Sequence, residues 1–512
     1  MMYQNPVISG FHPDPSVCRV GEDYYLVNSS FEYFPGVPLF HSRDLIHWRQ
    51  IGHCLTRKSQ LPLDKAVCSG GIFAPTIRHH QGVFYMVTTN FTQGGNFFVT
   101  TKDIRGEWSD PIWVDQPGID PSLFFDEDGK VYFTSTGERG ISQSEVDVAT
   151  GKRNTDIKVI WSGTGGSYPE GPHLYKIQGW YYLMIAEGGT EYGHMETMAR
   201  SRSPWGPFEP CPRNPILSHR STILPIQATG HADLVQAQNG SWWLVFLGIR
   251  PARWERLHHL GRETFLSPVH WADDGWPVIG VEGRVDLEME ADATMWHPEY
   301  HELPGRDDFN QPSLKPCWNF LRNPNEQDWS LSERPGWMRL RGSAVSLDEA
   351  DSSAFVGRRQ EHFDCRVATL MDFQPSGEGE EAGLTVLRTN LHHYDLARAW
   401  YKGADRIILR RRIGPLVAVE ATAPAPSGPV VLIVTADRDK YQFSFSTLGG
   451  SAVPLGEGES RYLSSEVTGG FTGVYFGLYS TGHGRACSSP AWFDGLDYTV
   501  TTEVEKLSEF RW

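Results

Sequence analysis

Five segments of the chain repeat one pattern: a polar or turn-forming start, an apolar strand, a turn at Gly or Asp-Gly, and a second strand rich in Tyr, Phe or Trp. They are DPSVCRVGEDYYLVNSS from Asp14, APTIRHHQGVFYMVTTN from Ala74, DPSLFFDEDGKVYFTSTG from Asp120, EGPHLYKIQGWYYLMIAEGG from Glu170 and GHADLVQAQNGSWWLVFLG from Gly230. Their starts lie 46 to 60 residues apart, room for four short strands and their loops. A repeat of that length predicts the blades of a five-bladed β-propeller. The fifth copy finishes in GRETFLSPVHWADDGWPVI, near residue 280.

Beyond it the pattern changes. LPGRDDFNQPSLKPCW is polar and loop-like, and WMRLRG, CRVATLMDF, RIILRR, VVLIVTADRDKYQFSFS and VYFGLYS follow at the spacing of a β-sandwich. The expectation is an all-β chain of two domains, a propeller over 1–302 and a sandwich over 303–512. A single irregular β-domain is the alternative, but 512 residues exceed what one core usually organises. With 52 Gly, 34 Pro and 18 Trp, the composition suits many short strands and tight turns.

In a propeller the first strand of each blade lines the central channel, so matched ends of those strands converge on one mouth. The matched residues are Asp14, Ala74, Asp120, Glu170 and His231. One Asp-Pro at a strand start is an ordinary turn signal. Three carboxyls facing across one funnel repel each other and raise each other's pKa, so a structural role alone gives little reason to collect them. Glycoside hydrolysis uses this set: a carboxylate base and a carboxylic acid flanking the sugar, with a third carboxyl to orient the sugar and hold the acid's pKa high.

Other roles fit less well. A net charge of −16 repels phosphate backbones and anionic lipid, which argues against nucleic-acid and membrane partners and suits a neutral oligosaccharide. The seven cysteines are an odd number without a CxxC pair, so neither a disulfide framework nor a zinc site is expected. The first residues lack a basic region followed by an apolar run, and a cytoplasmic protein is the simplest expectation. A carbohydrate-binding propeller without catalysis is the rival reading, though it would need neither a base nor a proton donor. The signatures of an interaction propeller of the WD-repeat kind are absent. Self-association is left open.

The segments NPVISGFHPDPSVCRV, GGIFAP, GIDPSLFFDEDG, EGPHLYKIQGWYYLMIAEGGT, TGHADLV and LGRET resemble family 43 of the glycoside hydrolases, in its β-xylosidase and α-L-arabinofuranosidase branch. The likeness continues through DDFNQPSLKPCWNFLRNP into that family's concanavalin-like C-terminal sandwich. It implies an inverting exo-glycosidase releasing terminal pentose, with Asp14 as general base, Glu170 as general acid and Asp120 tuning the acid and holding substrate. Inversion implies that the two catalytic carboxyls stand about 6.5–9.5 Å apart.

Phe31 matches an aromatic wall of the terminal-sugar subsite, and Phe73, Ala74, Thr190, His231 and Arg262 match positions near that sugar. Phe73 departs from the Trp usual in β-xylosidases of this family, which bears on the preferred pentose. No cofactor is required by the resemblance, although relatives with a histidine at the position of His231 sometimes hold a calcium-like cation in the channel. In this branch a loop of the sandwich closes the pocket, and STGHGRACSSP at 480–490 is the candidate for it.

Overall fold

The computed structural model describes residues 1–252, 256–291 and 305–501. Five four-stranded antiparallel sheets follow one another along the first part of the chain, each built of strands adjacent in sequence. The first is Ser16–Val20, Asp23–Val27, Gly36–Ser42 and Arg49–Leu55, and the second is Thr76–His80, Val83–Asn90, Gly95–Thr101 and Ile112–Trp113. The others open with Ile119–Phe125, Glu170–Ile177 and Gln227–Gln236. Each opening strand touches the opening strands of its two neighbours, and the fifth returns to the first, so the blades close a ring. Met2–Gln4 pairs with Glu288–Glu290, and Ile8 bridges to Thr264, joining the start of the chain to the fifth blade.

The aromatic second strands have a simple cause. Successive side chains of a strand point to opposite faces, and a blade is covered on both. In Val83–Asn90, Phe84 and Met86 join blade one's Val27 and Leu39, while Val87 joins blade three's Leu123 and Phe133. The same holds in blade four, where Leu183 and Ile185 face blade three and Tyr182 and Met184 face blade five. A run that is apolar throughout therefore marks the middle of a blade.

The second part of the chain is a sandwich of an eight-stranded and a six-stranded sheet. Val367, Leu432 and Phe493 of the first meet Val356, Leu384 and Leu478 of the second. The outer face of the six-stranded sheet, with Phe355, Leu387, Ile408 and Tyr475, is covered by Phe11, Phe31 and Tyr33 of the propeller. Tyr33 stacks on Tyr475 at 4.1 Å, and Tyr33–Phe34 forms a two-stranded sheet with Phe320–Leu321. Buried Arg359 and Arg322 donate to the carbonyls of Phe11 and Ala66, each at 2.7 Å. The domain boundary expected at 302/303 lies outside the described residues.

Candidate active site

Asp14, Asp120 and Glu170 come to one mouth of the propeller because each opens a channel-lining strand. Local backbone geometry aims them. Asp14, Asp120 and His231 have left-handed φ angles of 53°, 53° and 49°, and in blade four the same twist falls on Gly171, with φ of 58°. Register shifts follow at Ile119/Ser122, Glu170/His173 and Gly230/Asp233. A bulge of this kind re-aims a side chain, and left-handed backbone at a non-glycine residue stores strain that recurs at functional sites.

The three carboxyls stand in different surroundings. Asp14 is buried, with Oδ1 accepting from Arg262 Nη1 at 2.8 Å and Oδ2 accepting from the Ser29 hydroxyl. Asp120 is also buried, and its one hydrogen bond is long, from the Gly171 N–H at 3.3 Å. Burial, then the charges of Glu170 and Asp14, push Asp120 well above the usual carboxylate range. Glu170 is pushed up to about 7, by burial first and then by the charge of Asp14, with Arg262 opposing. The site thus holds one ion-paired carboxylate beside two carboxyls whose burial and like-charged neighbours favour the protonated form.

One neighbour of Glu170 was not legible in the sequence. His194 is fully buried and held neutral, its pKa lowered to about 4 chiefly by burial. Its Nδ1 donates to the Ala228 carbonyl at 3.0 Å, leaving Nε2 as a bare acceptor 3.8 Å from Glu170 Oε1. A carboxylate there gains no donor from the ring.

Arg262 is ion-paired within the site: besides Asp14, its Nη1 donates to Thr190 Oγ1 at 3.2 Å, while its buried Nε has no partner among the described residues. The guanidinium lies 5.8 Å from the ring centre of Phe31 and 5.5 Å from that of Phe471. Phe31 is 2 % exposed, stacked at 5.8 Å on Phe471 and 5.3 Å from Phe73, so it is both wall and core. Phe73 stands 6.3 Å from Phe471, and Ala74 next to it is buried at blade two's matched position. All nine residues singled out by sequence lie at this end of the propeller.

Phe471 corrects the expectation about the closing loop. The 480–490 turn is tied within the sandwich: Gly482 N–H donates to Ser343 O, His483 meets Glu381, and Ser488 meets Glu380. It is the preceding segment, GGFTG at 469–473, that reaches the pocket. Phe471 N–H donates to Ser69 Oγ at 2.8 Å, and Val474 N–H donates to the His259 carbonyl at 3.0 Å. Buried Arg388 holds this segment from behind, donating to Thr472 Oγ1 and to the Gly469 carbonyl. A side chain at Gly473 would bring its Cβ to 2.3 Å from the Leu260 carbonyl oxygen, so only glycine permits this approach. The sequence signal was an aromatic residue among glycines.

His231 does not fit a calcium site. It is buried and neutral, and the carboxylate deeper in the channel, Asp233, is already engaged by Arg78 at 2.7 Å, Ser16 at 2.6 Å and Tyr175 at 2.6 Å. A hard cation needs several free oxygens, and here a guanidinium already supplies the positive charge. Among the described residues no group of three or more His, Cys, Asp or Glu side chains could hold a metal ion.

Comparison with known proteins bears on the whole chain. Residues 3–277 match the model of Glycosyl hydrolases family 43, and residues 306–499 match the Beta xylosidase C-terminal Concanavalin A-like domain. The chain belongs to glycosyl hydrolase family 43. A non-reducing end alpha-L-arabinofuranosidase of Bacteroides ovatus is 46 % identical over 97 % of this chain and 94 % of the relative. A xylosidase/arabinosidase of Butyrivibrio fibrisolvens is 40 % identical over 94 % of this chain and 96 % of the relative. Among solved structures, the Bacteroides ovatus protein Xyloglucan PUL GH43B superposes with a TM-score of 0.95 at 44 % identity, covering 98 % of this chain and 100 % of that one. A xylan beta-1,4-xylosidase from Bacillus halodurans gives 0.89 at 36 % identity, over 97 % and 100 %. This family 43 chain is a glycoside hydrolase, which sets aside the binding-only reading.

Proposed function

We propose that the protein is an inverting exo-glycosidase that releases terminal non-reducing α-L-arabinofuranose or β-D-xylose from arabinoxylan- or xylan-derived oligosaccharides. The observation that carries the reading is the asymmetry of the trio. Asp14 is held in an ion pair with Arg262, the state a base needs, while Glu170 keeps its proton to about pH 7, the state an acid needs. In the mechanism, Asp14 removes a proton from water as the water oxygen bonds to the anomeric carbon. Glu170 gives its proton to the departing glycosidic oxygen as that C–O bond breaks. Asp120, buried beside Glu170, offers the acid's anion no positive counter-charge that would stabilise it, and it holds the sugar. The carboxyls complete hydrolysis without a cofactor.

Phe471, standing over Phe31 and Arg262, supports exo action by limiting the pocket's depth. Arabinofuranose is placed first because the relative at 46 % identity is named for it. Following the first-formed product by proton NMR on an aryl arabinofuranoside or xyloside tests the stereochemistry. The expected product has the inverted anomeric configuration, and retention would mean that a carboxylate attacks the sugar directly.

Glu170 also sets a pH dependence. Its acid form is required and is lost as pH rises through about 7, so kcat/KM on oligosaccharides is expected to fall tenfold per pH unit above that point. A pH–rate profile with an alkaline limb beginning near pH 9 or higher would contradict the assignment of the acid.

A further inference from the structure

The turn between the second and third strands of every blade returns to the mouth, because the second strand runs antiparallel to the first. Phe31 lies in that turn in blade one, between Asp23–Val27 and Gly36–Ser42. Thr190 lies in it in blade four, between Trp180–Glu187 and Met195–Ser201, and Arg262 in blade five, between Trp242–Ile249 and Glu263–Trp271. In blade two the turn joins Val83–Asn90 to Gly95–Thr101, and its first residue is Phe91. Three of these turns line the pocket, so symmetry places Phe91 at its rim.

We propose that Phe91 is the platform for the leaving sugar, the unit to which the terminal pentose is attached. Its ring lies flat against Phe73, with centres 4.6 Å apart and planes 8° from parallel, yet Phe91 is 61 % exposed. One face rests on the pocket wall and the other is open. Arg262, Phe31, Phe73 and Phe91 form a continuous series of contacts that begins at the Asp14 ion pair and ends on Phe91, its most exposed ring. In a site closed behind by Phe471, the bond to the leaving sugar passes out through the mouth, alongside this ring.

The ring is also fixed in advance. Phe91 N–H donates to the Gly71 carbonyl at 2.7 Å. Asn90 Oδ1 accepts from the N–H groups of Thr92 and Gln93 at 3.2 and 3.0 Å, its amide donates to the Pro62 carbonyl, and Trp113 packs against Gly94. A rigid aromatic ring loses little freedom on binding, and the C–H face of a pyranose suits it.

The inference rests on the exo-glycosidase reading, and the test separates the two. Wild type and Phe91→Ala are compared on a pentosyl-xylose disaccharide and on the matching pentosyl fluoride, whose leaving group is too small to reach the ring. Phe91→Ala is expected to lose about tenfold in kcat/KM on the disaccharide, mostly through KM, the scale of one aromatic contact, and to match wild type on the fluoride. Phe91→Trp is expected to restore the disaccharide rate. Equal losses on both substrates would place Phe91 in the terminal-sugar pocket and overturn the proposal, as would no loss on either. Failure of the wild-type protein to turn over both substrates would instead refute the glycosidase reading and take this inference with it.

Discussion

Replacing Asp14 by Asn is expected to lower kcat/KM by about 10²–10⁴-fold on every substrate, whatever its leaving group. The water must be deprotonated however good the leaving group is, and an amide oxygen cannot take the proton. The variant keeps the size of the side chain and an oxygen to accept from Arg262, but leaves a buried guanidinium without its counter-charge. Removing one partner of a buried pair costs about 3–5 kcal/mol, so thermal unfolding must be measured beside the rates. Azide offered as a small replacement nucleophile would enter from the open side and restore activity if the lost function is that of the base. A variant that folds, binds the released sugar and retains ordinary turnover would move the base elsewhere.

Glu170→Gln is expected to behave differently. On an oligosaccharide, whose leaving alkoxide needs a proton, the loss is expected to be about 10²–10⁴-fold. On a dinitrophenyl glycoside, whose leaving group departs as a stable anion, less than about tenfold is expected. The alkaline limb near pH 7 should vanish with it, since the carboxyl responsible is gone. Equal losses on both substrates would show that the carboxyl acts in some step other than protonation. The environment makes this variant a clean one: burial already favours a neutral group at position 170, and the amide is neutral.

Much of this was legible in the chain because a blade is packed on both faces. The doubly buried second strand shows as an unbroken apolar run, such as WYYLMIA, and the starts of the repeats then fix which residues share the channel mouth. That logic found Asp14, Asp120 and Glu170. It could not find Phe471 or His194. Phe471 reaches the pocket only because the two domains dock face to face, and His194 faces Glu170 from the turn just before the third strand of blade four, outside the repeated segments. The 480–490 turn was the candidate closing loop, but its polar groups are spent on Glu380, Glu381 and Ser343. Phe91 directly follows the second repeated segment, in a turn whose return to the mouth becomes evident from strand direction.

Arg388 and Gly473 together make the sandwich something other than an appended module. One places the 469–473 segment from below and the other lets it pass against Leu260, so the pocket wall is assembled across two separate hydrophobic cores. A lineage that lost the sandwich would not keep a smaller version of the same enzyme but an open groove, where a chain could cross rather than end. Exchanging one domain for a distant relative's would have to bring the matching loop with it, because the two halves meet at the pocket through one aromatic ring.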